Sequence, residues 1–200
     1  MLPDGKYIVS SGTYIKRYLP DGRIDTQFGD GGRVSKDRDH NLPPVTLVQS
    51  DGKIVYLDHL SDSLIRLHAD GGRDPSFGTE GSVHIPALLS VFLDGDKILA
   101  IFGPAWLSET RHILRLGKDG GRDASFGSDG QALLEHPDYD EFLFRSQLLP
   151  TGDGSILLQA SRRRGDREVP VLLRIDGTGS LDHSFGHLGA VEVTLRGHDR

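Results

Sequence analysis

Short apolar runs separated by glycine turns recur along this chain, and none carries the 3.6-residue period of an amphipathic helix. The segments TLVQSDGKIVYL near residue 50, SVFLDGDKILAIF near 95 and SQLLPTGDGSILLQA near 154 each set a glycine turn between two apolar runs. Glycine accepts the positive φ of a two-residue turn, so each segment predicts a hairpin, whose strands we term A and B. A third run, C, lies at Tyr14 to Tyr18, Ser63 to Leu67, His112 to Leu116 and Val169 to Ile175. A fourth, D, lies at Gly32 to Ser35, Ser82 to His84, Gln131 to Leu134 and Ala190 to Leu195. Runs such as Ile54-Val55-Tyr56-Leu57 are apolar at consecutive positions, as in strands covered on both faces.

The runs are tied to a fourfold repeat. Arg17, Arg66, Arg115 and Arg174 are each followed eight residues later by an Asp (Asp25, Asp74, Asp123, Asp182) and eleven residues later by a Phe-Gly pair at Phe28, Phe77, Phe126 and Phe185. The phenylalanines are spaced by 49, 49 and 59 residues, the length of one four-stranded unit. Units that bury their faces only against neighbours predict an all-β fold: a β-propeller of four antiparallel four-stranded blades, in a single repeat domain. The blades fall at approximately 1–36, 44–86, 88–135 and 141–196. The first begins almost directly in its A-to-B turn and is one strand short. Two arrangements follow: a closed four-blade ring, or half of a larger ring completed by a second copy in a homodimer.

The strings Asp51-Gly52-Lys53-Ile54-Val55 and Asp119-Gly120-Gly121-Arg122-Asp123-Ala124-Ser125-Phe126-Gly127 resemble the bacterial delta-60 repeat, and four copies cover almost the whole chain. The last copy departs, with TGDGSI in place of DGKIV and Ile175-Asp176-Gly177-Thr178-Gly179-Ser180-Leu181-Asp182 in place of the usual turn. The resemblance implies a β-propeller-like repeat of unassigned activity and carries no catalytic residues with it.

Composition narrows the partners. Twenty-three basic against twenty-nine acidic side chains give a net charge of -6, which weighs against nucleic acid as a partner. Without cysteine there is no disulfide framework and no thiolate chemistry. No apolar run approaches the roughly 20 residues of a membrane span. The start, MLPDGKYIVSSG, lacks a signal peptide's basic and apolar regions, so the cytoplasm is favoured.

The fourfold Arg, Asp and Phe are expected to serve the scaffold, each Asp ordering the C-to-D connection beside its Arg and each Phe plugging between blades. Length variation supports this. From Arg to Phe the count is constant, whereas from Lys6, Lys53, Lys97 and Ser155 to the next repeat Arg it is 11, 13, 18 and 19. All variation therefore falls in the B-to-C and D-to-A connections, which in an antiparallel meander share one end of the blade. That variable end should carry binding residues: Asp37, Asp39 and His40; His59; Trp106, Glu109 and Arg111; His136, Asp138, Tyr139, Asp140 and Glu141; and Arg162, Arg163, Arg164 and Arg167. Trp106 beside Arg111 suits an interaction hot spot, and the arginine run suits an acidic group. The acidic clusters match no calcium loop and the histidines no zinc spacing, so neither a metal nor another cofactor is expected.

Two functions remain. One is a non-enzymatic binding or scaffold propeller that holds a protein, peptide or glycan on the variable end. The other is a propeller hydrolase or lyase using His40, His136, Asp138 and Asp140 as acid-base groups at the channel mouth.

Overall fold

The computed structural model describes residues 2, 4–36, 45–103, 111–138, 142–165 and 167–193; the side chains of residues 111 and 142–147 lie outside the description. The described residues form fifteen strands and no helix. Tyr7–Ser10 (β1), Tyr14–Tyr18 (β2) and Arg33–Ser35 (β3) make the first sheet. Thr46–Val48 (β4), Ile54–Asp58 (β5), Ser63–Leu67 (β6) and Ser82–His84 (β7) make the second. Leu88–Asp94 (β8), Lys97–Phe102 (β9), Arg111–Leu116 (β10) and Gln131–Leu134 (β11) make the third. Phe142–Pro150 (β12), Ile156–Arg164 (β13), Arg167–Ile175 (β14) and Ala190–Glu192 (β15) make the fourth. Every strand pairs antiparallel with its sequence neighbour within its sheet, giving four propeller-like blades, the first of three strands.

The doubly apolar strands are buried on both faces, and the register shows where each face goes. Ile54 lies opposite Leu67 and Tyr56 opposite Ile65, and these four form a core with Ile15 and Phe28 of the first sheet. Val55, Leu57 and Leu64, on the alternate face, join Phe77 in a second core with Val91, Ile98, Ala100, Leu114 and Leu116 of the third sheet. A third core unites Leu99, Ile101, Ile113 and Phe126 with Leu148, Ile156, Leu158, Val171, Leu173 and Ile175 of the fourth. One-residue alternation thus gives each internal sheet two apolar faces, one for each neighbour. Among the described residues, no core joins the fourth sheet back to the first.

The fourth sheet departs from expectation. The segment carrying Arg162, Arg163 and Arg164, read from the sequence as a basic loop, is paired strand: Arg162 lies opposite Val169, Arg163 opposite Glu168 and Arg164 opposite Arg167. Alternation of Val169 and Val171 with solvent-facing neighbours lets the ladder run on to the tip.

Candidate functional site

Each repeat set is a small electrostatic assembly at the end of the blades that carries the A-to-B and C-to-D turns. In the second sheet, β6 delivers Arg66, and the turn after it delivers Asp74. Asp74 Oδ1 accepts the N–H and the hydroxyl of Ser76, which shapes the turn as an Asx motif. Asp74 Oδ2 accepts from Arg66 Nε at 2.8 Å and lies 2.9 Å from Lys53 Nζ, which rises from the start of β5. Arg66 and Asp74 are both buried, and the Arg66 guanidinium lies 4.7 Å from the centroid of Phe77. The arrangement recurs at Arg17/Asp25/Lys6 and Arg115/Asp123/Lys97, with ion-pair distances between 2.8 and 3.0 Å.

Each of these three sets also reaches the next sheet. Arg17 Nη1 donates to the carbonyl of Ala69, Arg66 Nη1 to that of Lys118, and Arg115 Nη1 to that of Gly177 at 2.8 Å. One residue further along the receiving turn, the N–H of Gly29 donates to Asp70 O, Gly78 to Asp119 O and Gly127 to Thr178 O, at 2.7, 2.9 and 2.6 Å. The next position is a glycine in all three turns. A Cβ on Gly71 would lie 3.0 Å from Phe28, on Gly120 2.9 Å from Phe77 and on Gly179 3.1 Å from Phe126, so the turn lies flat on the preceding phenylalanine. The three phenylalanines are completely buried.

These contacts fix the carboxylates in their charged form. Burial alone would raise Asp74, but hydrogen bonds from Ser76 and Lys53 and the charge of Arg66 hold it well below the usual carboxylate range. Asp123 is lowered in the same way, chiefly by Lys97 and Ser125. A cleft of about 330 Å³ opens at the seam of the second and third sheets, lined by Lys53, Arg66, Ser76, Lys118 and Asp119. Its cations are committed: Lys53 and Arg66 to Asp74, and Lys118 to Asp51 and Asp96. An incoming anion would have to displace internal carboxylates, so the cleft is a joint between sheets.

At the variable end, His40, Trp106, Tyr139 and Asp140 lie outside the described residues, as do Asp37, Asp39, Glu109 and Glu141. Arg111 opens β10 with its backbone opposite Leu134. Arg162 makes an ion pair with Glu192 across the fourth sheet, while Arg163 and Arg164 are exposed on the long hairpin. His59 is half-buried in the β5–β6 turn, and Arg167 is exposed at the start of β14.

His136 and Asp138 come together, with a partner not foreseen from the sequence. His187 Nε2 lies 2.7 Å from Asp138 Oδ2, and His136 Nε2 contacts the carbonyl of His187 at 3.2 Å. His136 Nδ1 accepts the N–H of Asp138, so its proton resides on Nε2 and both ring nitrogens are engaged. His187 belongs to a C-to-D connection and His136 to a D-to-A connection, yet they touch because the outer strands β11 and β15 span only a few residues. The two kinds of connection therefore do not stay at opposite ends at this outer rim. Among the described residues, no three His, Asp or Glu side chains gather as metal ligands.

Missed as functional partners in the sequence were Lys6, Lys53 and Lys97, which complete the repeat sets. Their signal was present, since each stands directly after the A-to-B turn and only the fourth copy replaces it, with Ser155.

Residues 2–28 match a family described as a domain of unknown function (DUF5122), beta-propeller. The matched stretch runs through β1 and β2 to Phe28, the first Arg, Asp and Phe set, which supports a β-propeller-like repeat family. No curated protein matches the chain.

Proposed function

We propose that this chain is a non-enzymatic binding or scaffold module built of delta-60 repeats, which holds a protein, peptide or glycan on the end formed by the B-to-C and D-to-A connections. The observation that carries this reading is the commitment of the opposite end. Its Lys, Arg and Asp groups are spent on one another and on the next sheet's carbonyls, leaving that end to assemble the scaffold. The connections at the other end differ in length and composition, and a rigid scaffold presenting individual loops is a binding architecture. Arg164 and Arg167, exposed on the β13–β14 hairpin, supply cations there for an acidic group on the ligand.

The engagement of His136 bears against the hydrolase or lyase reading. A ring whose Nδ1 accepts from backbone and whose Nε2 donates to backbone is a cross-link, with no lone pair left to take a substrate proton. The test is binding to peptide and glycan arrays by the wild type and by variants with 104–111 or 162–167 replaced by Gly-Ser segments. Loss of the bound class on either replacement, with retention in Lys118→Ala at the opposite end, supports the reading. Undiminished binding by both replacements overturns it.

A further inference from the structure

We propose that the outer face of the fourth sheet docks on the outer face of the first sheet of a second copy of this chain, head to tail, repeating the joint that the chain makes three times internally. The donor half of that joint is present and unanswered at the fourth sheet. In the internal sets the arginine gives Nε to its Asp and Nη1 to a carbonyl of the next sheet. Arg174 instead turns Nη2 to Asp182 at 2.7 Å and to Ser184, and its buried Nε has no hydrogen-bond partner among the described residues. Phe185 still lies 4.7 Å from its arginine but is only partly buried.

The acceptor half is present at the first sheet. Counting from each arginine, Ala69, Lys118 and Gly177 correspond to Pro20, and Gly71, Gly120 and Gly179 to Gly22. Gly22 has a positive φ, +84°, close to the +85° to +93° of its counterparts, but a Cβ built there meets nothing within 4 Å among the described residues. The turn is already shaped to lie on a phenylalanine. In a second copy, Arg174 would donate to the carbonyl of Pro20, and the N–H of Gly186 to that of Asp21.

The flanking apolar surfaces agree. By register, Tyr7 and Val9 occupy in the first sheet the places of Ile54 and Tyr56, which are buried in the second, yet they are 45% and 48% exposed. Leu149 and Val191 stand in the fourth sheet where Leu47 and Val83 pack into the second core, and they are 62% and 37% exposed. Lys16 and Gln159 replace Ile65 and Leu57, which makes this joint more polar than the internal ones and suits a reversible contact. The two faces are different surfaces, so the contact is heterologous and each copy contributes one half.

The test is light scattering during size exclusion on the full chain at about 100 μM, where at least two copies of 21.9 kDa are expected in the particle. A monomer at that concentration overturns the proposal. Val9→Glu and Leu149→Glu each spoil one half, so each variant alone should be monomeric, while an equimolar mixture should associate through the two intact halves. Either variant associating alone, or the mixture failing to associate, overturns a head-to-tail joint. Leu133→Glu, at an exposed apolar position outside both faces, should associate like the wild type; its loss of association would point to unspecific apolar adhesion and also overturn the proposal.

Discussion

The second and fourth repeat sets use the same Arg, Asp, Ser and Phe-Gly residues at the same spacing, yet one is core and the other is surface. Arg66, Asp74 and Phe77 are buried, receive Lys53 and bond to the third sheet. Arg174, Asp182 and Phe185 are partly exposed, have Ser155 where the lysine would stand, and meet no further sheet among the described residues. The local geometry survives in both: the Asp still orders its turn through the next serine, and the guanidinium still covers the ring. What is lost is everything a neighbour supplies. The repeat therefore holds its own turn by itself, and its burial comes from the next copy.

The largest effect that separates the two sets is the loss of the ring. Phe77→Ala should cost about 3–5 kcal/mol in urea unfolding, whereas Phe185→Ala should cost about 1–2 kcal/mol in dilute protein, where one copy stands alone. Equal costs under dilution would break the comparison. A rise in the Phe185→Ala cost with protein concentration would sharpen it, by showing a partner burying the ring.

A second contrast lies in the receiving turns. Gly71→Ala forces a methyl to within 3.0 Å of Phe28 at a φ of +93°, while Gly22→Ala, at a φ of +84°, meets open space. Gly22→Ala should therefore lower stability by about 1 kcal/mol, the backbone term alone, and Gly71→Ala by at least about twice that, because overpacking adds to it.

Acid gives a smaller, graded test. Asp74 and Asp123 titrate below the unfolded value of about 3.9. Below that value the unfolded chain binds more protons than the folded one, so their contribution is complete above about pH 4 and declines as the pH falls further. Unfolding midpoints should drop from pH 6 to pH 3. Asp74→Asn should flatten that drop, and Asp182→Asn, at a partly exposed carboxylate also lowered by Ser184 and Arg174, should flatten it less. The smallest expected effect is that of Ser155→Lys, which restores the missing cation beside Asp182 and should raise the thermal midpoint by no more than about 3 °C.

The fold was largely legible because its signals are local. The run Ser63–Leu67 is read from β-branched and apolar residues between turns, and the Asp51-Gly52-like turn at Asp4-Gly5 places β1 directly after it. The Arg and Asp of one set are also close in sequence, eight residues apart on a strand and its following turn. The bonds from Arg66 to Lys118 and from Gly78 to Asp119 were not legible, because they join residues 52 and 41 positions apart across two sheets. His187 was passed over for a related reason. Assigning connections to two ends treats all strands as equally long, and the short outer strand β15 brings both ends within reach of one histidine. The basic hairpin was misjudged because Arg162 to Arg164 are polar on consecutive positions, and the pairing that keeps them in a strand comes from the opposite arm.

The buried cores between sheets grow along the chain, from six described residues at the first joint to eleven at the second and fourteen at the third. During synthesis, the earliest-made of these four sheets is thus the one with least to hold it, while the most cohesive pair among them is made later. The first sheet must wait for β5 and β6 before Ile15 and Phe28 have a neighbouring sheet to close upon, so among these four sheets order should spread backwards, from the fourth toward the first.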